Sequence, residues 1–202
     1  ALAIVSITIN SVNDAPVVAS IPDQTITEGE NFMTINLDGY VSDVDNVDGD
    51  MIWTAAGESQ LSVSIEGRVA NIDVPYADWN GSETITFKAT DPDGLWNDDS
   101  ASFLVTAVND APVADAQTVS TPEDTAVALL LTGSDLEGDP LSFSIQSPPS
   151  HGSLNGTGAD QVYTPLENYN GEDSFTFIVN DGETNSSPAL VSITITPVND
   201  AP

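Results

Sequence analysis

The sequence predicts an all-β chain: two tandem Greek-key β-sandwich domains of about seven strands each, arranged as a rod. Three observations predict this. The pentapeptide Val-Asn-Asp-Ala-Pro occurs at residues 12–16, 108–112 and 198–202, at spacings of 96 and 90 residues, too long for a solenoid repeat and suited to one small domain each. Apolar residues alternate strictly with polar ones in short runs: Ile85, Phe87 and Ala89; Phe175, Phe177 and Val179; Val191, Ile193 and Ile195. These runs are rich in Val, Ile, Thr and Phe, are bounded by Gly, Pro, Asn and Asp clusters, and show no helical stripe.

Element by element, the first domain should place strands near residues 17–27 (broken at Pro22), 32–37, 51–55, 60–66, 69–74, 83–90 and 101–107. The second should follow with 116–120, 126–131, 141–146, 152–154, 160–164, 173–179 and 190–196. Ala1 to Ile9 (ALAIVSITI) echoes Ala189 to Ile195 (ALVSITI), and each precedes a pentapeptide. The expected organisation is therefore residues 1–11 as the last strand of a truncated upstream repeat, 12–107 as the first domain, 108–197 as the second, and 198–202 as the start of the next linker. Pro16 and Pro112 should stiffen the connections, and the strand Ala3 to Ile9 is available to pair with a neighbouring sheet edge.

Composition narrows the function. With 32 Asp plus Glu against Arg68 and Lys88 alone, the formal charge is −30. Nucleic acid is excluded as a partner, because binding a phosphate backbone requires Lys and Arg to release its counterions; anionic membranes fall to the same argument. Disorder is not expected, since 40% hydrophobic residues in alternating runs can bury a core. A charge this large opposes compaction unless cations neutralise it. There is no cysteine and only His151, so a bound metal would be hard and held by oxygen. Neither a signal peptide nor a long apolar run appears, which says nothing of a parent chain.

The carboxylates concentrate in loops. One loop of the first domain holds Asp43, Asp45, Asp48 and Asp50, and its counterpart holds Asp135, Glu137 and Asp139; a second holds Asp91, Asp93 and Gly94 in one domain and Asp181, Gly182 and Glu183 in the other. In a sandwich these two loops share an end with the incoming Asn-Asp linker. Calcium takes roughly six to eight oxygens in irregular geometry, which suits this set better than the tight magnesium octahedron. An EF-hand is rejected, because counting from Asp43 puts Asp48 at the glycine place and Thr54 at the final glutamate place. Asp23, Asp38, Asp98 and Asp160 are read as turn residues.

The blocks Pro122-Glu-Asp-Thr125, Gly133-Ser-Asp-Leu-Glu-Gly-Asp-Pro-Leu141, Pro149-Ser-His-Gly-Ser-Leu154, Tyr163-Thr-Pro165, Asn168-Tyr-Asn-Gly-Glu-Asp-Ser-Phe175 and Val179-Asn-Asp-Gly182 resemble the bacterial cadherin-like tandem repeats of large extracellular adhesins. The first domain departs by a longer acidic loop and by lacking the Pro-Ser-His-Gly segment. The resemblance implies calcium between consecutive repeats. Carried over by motif, the central junction would use Glu28, Asp78, Asn109, Asp110, Asp135, Glu137 and Asp181, with Glu83 and Asp139 in reserve. An N-terminal half-site would use Asn13, Asp14, Asp43, Asp45 and Asp91, and a C-terminal half-site Glu123, Asn168, Asn199 and Asp200.

No catalytic constellation accompanies these residues. His151 lies in a turn without a triad pattern, and the paired carboxylates lack the cleft that glycoside hydrolysis needs, so the chain reads as a non-enzyme. Trp53 and Trp79 stand where Phe143 and Tyr169 stand in the second domain and are core residues, whereas Trp96 in Gly94-Leu-Trp-Asn-Asp-Asp99 has no counterpart and is the candidate sugar contact. The expected function is a calcium-binding adhesin segment at the cell surface or secreted, its partners calcium, neighbouring repeats and another adhesin molecule or a surface polysaccharide. The rival readings are a carbohydrate-binding module and a passive spacer.

Overall fold

The computed structural model describes residues 12–199. The expected strand Ala3 to Ile9 and the candidate ligand Asp200 lie outside the described residues. The chain divides into two compact units between Val108 and Asn109.

In the first unit the strands are β1 (Val17–Val18), β2 (Gln24–Thr27), β3 (Ile35–Asn36), β4 (Val41–Ser42), β5 (Ile52–Ala56), β6 (Ser62–Glu66), β7 (Val69–Asp73), β8 (Gly81–Thr90) and β9 (Trp96–Thr106). They form a four-stranded sheet in the order β2-β9-β8-β5, a three-stranded sheet β3-β7-β6 and a two-stranded ribbon β1-β4. The second unit repeats this plan with β10 (Val113–Ala114), β11 (Gln117–Pro122), β12 (Val127–Leu130), β13 (Gly133–Ser134), β14 (Ser142–Ser147), β15 (Gly152–Thr157), β16 (Asp160–Pro165), β17 (Gly171–Asn180) and β18 (Ala189–Thr196). Its sheets run β11-β18-β17-β14, β12-β16-β15 and β10-β13. Each unit is thus the predicted β-sandwich.

The differences from expectation have local causes. The break expected at Pro22 is present, and it is a change of sheet: β1 pairs antiparallel with β4, whereas β2 crosses to the other sheet and runs parallel to β9. Pro22, with no N–H to give a ladder, sits at that crossing. In the second unit the same switch separates β10 from β11 without a proline, so the single strand expected at 116–120 is corrected to two. The ribbon strands β4 and β13 are too short to show a period. Pro16 and Pro112 are buried, so they anchor each linker rather than merely stiffening it.

Long antiparallel pairing makes the spine of each unit. β8 and β9 pair from Gly81↔Val105 to Thr90↔Trp96, so Ile85, Phe87, Ala89, Ala101, Phe103 and Val105 all point inward and are buried. Phe103 meets Phe32 edge-on with centroids 5.2 Å apart. In the second unit Tyr163, Phe175, Phe177, Val191 and Ile193 fill the same role. The β6–β7 hairpin turns on Gly67 and Arg68, with φ of 54° and 64°, the both-positive geometry of a tight two-residue hairpin. Arg68 holds this conformation while its Nε donates to both Asp38 oxygens, at 2.8 and 3.0 Å. Trp53 and Trp79 are core residues, as expected. Among the described residues no helix is long and apolar enough to cross a membrane.

Candidate metal centre

Each unit carries at its linker end the same acidic construction. In the first, Asn13 Nδ2 donates to Asp91 Oδ2 at 2.7 Å, and the Asp14 N–H donates to Asp45 Oδ2 at 2.8 Å. In the second, Asn109 Nδ2 donates to Asp181 Oδ2 at 3.0 Å and the Asp110 N–H to Glu137 Oε2 at 3.3 Å. The pentapeptide thus docks through the same two bonds in both units: the Asn amide on the loop before the last strand, and the Asp backbone on the other acidic loop. These bonds gather four of the five predicted N-terminal residues, Asn13, Asp14, Asp45 and Asp91, and four of the seven predicted for the central junction, Asn109, Asp110, Glu137 and Asp181.

Asp91 and Asp181 are 2% and 8% exposed. Burial pushes the Asp91 carboxyl upward, but hydrogen bonds from the Asn13 amide and from the backbone of Leu95, Gly94 and Asp93 outweigh it and hold it below the usual range. The Asn109 amide is the largest influence on Asp181; with the N–H groups of Thr184 and Glu183 and the Thr184 hydroxyl it holds that carboxyl far below the usual range against the opposing effect of burial. Both groups are ionised at neutral pH.

Asp43 and Asp135 differ from these two. Asp43 Oδ1 accepts the N–H groups of Asp45 and Asn46, both at 2.8 Å, and Asp135 Oδ1 accepts the Asp139 N–H at 2.9 Å. One oxygen therefore caps its own loop. The other, Oδ2 in both residues, is buried with no hydrogen-bond partner among the described residues. An ionised oxygen in that state is costly unless positive charge reaches it. The donor set around it, carboxylates and Asn amides with no nitrogen or sulfur ligand, fits a hard cation such as calcium.

The opposite end of each unit holds a single buried or half-buried glutamate. The Glu28 N–H donates to the Thr106 carbonyl, and Glu28 Oε1 accepts the Val108 N–H. Glu123 repeats this, its N–H on the Thr196 carbonyl and its Oε1 accepting the Val198 N–H at 2.6 Å, while its Oε2 accepts the Asn170 amide at 3.3 Å. Asp78 is exposed beside Ala77, whose carbonyl accepts the Gly29 N–H. Asn168 uses its backbone N–H on Asp124 Oδ1.

Glu83 serves the fold instead: its carboxylate accepts the Ser59 N–H, the Ser59 hydroxyl and the N–H groups of Gln60 and Leu61, closing the β5–β6 loop. Its counterpart Asp173 accepts Ser150 N–H, His151 N–H and the Tyr163 hydroxyl. Glu83, expected as a reserve ligand, is thereby corrected to a loop clasp, and Asp173 carried no expectation. A signal for the pair was available, because each acid stands two residues after the Asn-Gly of Trp79-Asn-Gly81 or Tyr169-Asn-Gly171. His151 stacks on Tyr169 with centroids 4.1 Å apart, a structural turn position. The strand expected at 101–107 begins earlier: Trp96 opens β9, paired with Thr90, with Lys88 Nζ 4.4 Å from its ring centroid.

Among solved structures the chain is similar to mouse cadherin-23 EC22–24, at 16% identity and a TM-score of 0.57, covering 91% of this chain and 65% of that one. It is likewise similar to Drosophila N-cadherin EC1–4, at 16% identity and a TM-score of 0.55, covering 93% and 50%. An endo-fucoidan hydrolase of glycoside hydrolase family 107 matches at 21% identity and a TM-score of 0.41, covering 92% of this chain and 29% of the hydrolase. The chain thus spans between 29% and 65% of these solved chains. No curated protein matches it. Residues 13–106 and 109–194 each match the family described as the bacterial Ig domain, and the chain accordingly belongs to that family as two successive copies.

Proposed function

We propose that the chain is a calcium-binding extracellular segment of a bacterial surface or secreted adhesin, in which calcium fixes each linker to the acidic end of the repeat that follows and so stiffens the junction between repeats. The carrying observation is the twin buried, unpartnered oxygens of Asp43 and Asp135, at equivalent positions beside a docked linker. Calcium would supply the positive charge that those oxygens lack. Asn13 and Asn109 hold Asp91 and Asp181 in place, and Asp45 and Glu137 hold the linker backbone. In this reading Glu28 and Asp78 of one repeat complete the set formed by Asn109, Asp110, Asp135, Glu137 and Asp181, while Asn13, Asp14, Asp43, Asp45 and Asp91 await a preceding repeat and Glu123, Asn168, Asn199 and Asp200 a following one. Without the cation, a chain of charge −30 repels itself most strongly where these loops converge. A ligand bound only by the ordered state then stabilises it by mass action.

Thermal unfolding and small-angle scattering of one sample, in EDTA and in millimolar calcium, test this. Calcium should raise the midpoint and lengthen and stiffen the particle, and Asp43→Asn combined with Asp135→Asn should abolish both responses. A midpoint and scattering profile indifferent to calcium would remove the cation from the function.

A further inference from the structure

The outer face of the first unit's four-stranded sheet carries no net charge at its strand positions, although the chain as a whole is strongly acidic. Because side chains alternate, Glu83 and Asp99 fall on the inward positions of β8 and β9, and the outward positions carry hydroxyls: Thr54, Thr84, Thr86, Thr90, Ser100 and Ser102. Lys88 and Asp98 are the two charged residues at outward positions of the four strands, and they stand directly opposite each other, so the face is neutral in a chain of −30. Its apolar members are Ile52, Trp96 and Leu104, at 63%, 54% and 37% exposure. Ile52, Thr90 and Trp96 share one cross-strand row.

We propose that this face binds a neutral polysaccharide, with Trp96 as the stacking platform and the Thr and Ser hydroxyls as hydrogen-bonding partners. The Lys88 ammonium at 4.4 Å from the ring centroid holds the indole on the sheet before ligand arrives, which lowers the ordering cost of binding, while more than half of the residue stays exposed. Sugar C–H groups stack on such a ring and sugar hydroxyls exchange with protein hydroxyls. Sulfated or uronic polymers are disfavoured by the chain's own charge. A protein partner would call for a larger apolar centre than Ile52, Trp96 and Leu104 provide. The second unit has no tryptophan, so this activity belongs to the first.

Affinity electrophoresis in gels containing hydroxyethyl cellulose, xylan or galactomannan, with dextran sulfate as the contrasting polymer, tests the proposal. Trp96 is the one exposed indole beside buried Trp53 and Trp79, so its emission reads the same event. At least one neutral polymer should retard the chain and shift the emission, and Trp96→Ala should weaken that retardation roughly tenfold. Ala56→Glu, which puts a longer and strongly hydrated side chain on the face at an exposed position and so obstructs close contact with the polymer, should weaken it as well. Retardation by no neutral polymer, by dextran sulfate alone, or at undiminished strength in a folded Trp96→Ala chain would overturn the proposal. Should Trp96→Ala fail to fold, undiminished retardation of Ala56→Glu overturns it equally.

Discussion

Tyr163→Phe isolates the hydrogen-bond network that closes the second unit. The Tyr163 ring is fully buried, and its hydroxyl donates to Asp173 Oδ2 at 2.7 Å. Phenylalanine keeps the ring in the core and removes one bond to a charged acceptor. Ser150, His151 and Ser174 still donate to Asp173 at 2.9 Å each, so the carboxylate is not abandoned. The expected loss is about 2 kcal/mol, or a fall of roughly 8–16 °C in the midpoint of a unit this size. The pH dependence follows from two opposite shifts. Burial raises the Tyr163 hydroxyl above its ordinary value, and the bond to Asp173 raises it further. A raised folded value gives stability that is complete below about pH 10 and is lost as pH climbs beyond it. Burial alone would raise Asp173, but the Tyr163 hydroxyl and the three N–H donors outweigh it and hold the carboxyl low. That contribution is complete above about pH 4 and is lost as pH falls further. Phenylalanine should therefore remove the alkaline loss and move acid unfolding to higher pH. All three tryptophans lie in the first unit, so far-UV circular dichroism should report the shift while tryptophan emission follows the other unit. A shift below about 2 °C, corresponding to under about 0.5 kcal/mol, would refute the account of this network.

Asn109→Ala should let the Asp181 carboxyl rise toward its ordinary value, because the Asn109 amide is the largest influence holding it down. An NMR titration in calcium-free buffer reads this, and an unmoved Asp181 would show that the linker amide does not govern it. Since a depressed folded value stabilises above about pH 4 and that contribution is lost on acidification, the variant should also unfold at higher pH than the parent. Gly152→Ala would drive a Cβ into the Tyr163 ring, a contact that must displace a fully buried side chain, and should cost about 1–3 kcal/mol in thermal unfolding.

The strands were legible where burial imposes period two over enough residues. β8, β17 and β18 each show a run of alternating apolar side chains, and the structure places every one of them inward. The start of β9 was not legible: Asn97, Asp98 and Asp99 carry no apolar signal, and register with β8 is what extends the strand to Trp96. The acidic loops and linkers were legible because the pentapeptide recurs, and the structure gives each recurrence the same pair of bonds. Glu83 and Asp173 are marked in the sequence by standing two residues after Asn-Gly, but their partners were not legible, because the loops they close lie more than 20 residues earlier in the chain.

Charge balance explains why the inner carboxylates divide into two kinds. The chain has two basic residues, and in the structure Arg68 lies on Asp38 while Lys88 lies over Trp96. Buried acids elsewhere must be held by neutral donors. Asp91, Asp173 and Asp181 have both oxygens engaged by N–H or O–H groups, so they carry folding whatever the ionic conditions. Asp43 and Asp135 have one oxygen engaged and the other buried without a donor, so they contribute less to the apo fold than their burial suggests and have capacity left for a cation. That division is why the calcium test rests on Asp43 and Asp135. Replacing Asp91 or Asp181 would disturb folding and cation binding together, whereas an amide at the other two positions keeps an acceptor for the loop while withdrawing the charge that would hold the ion.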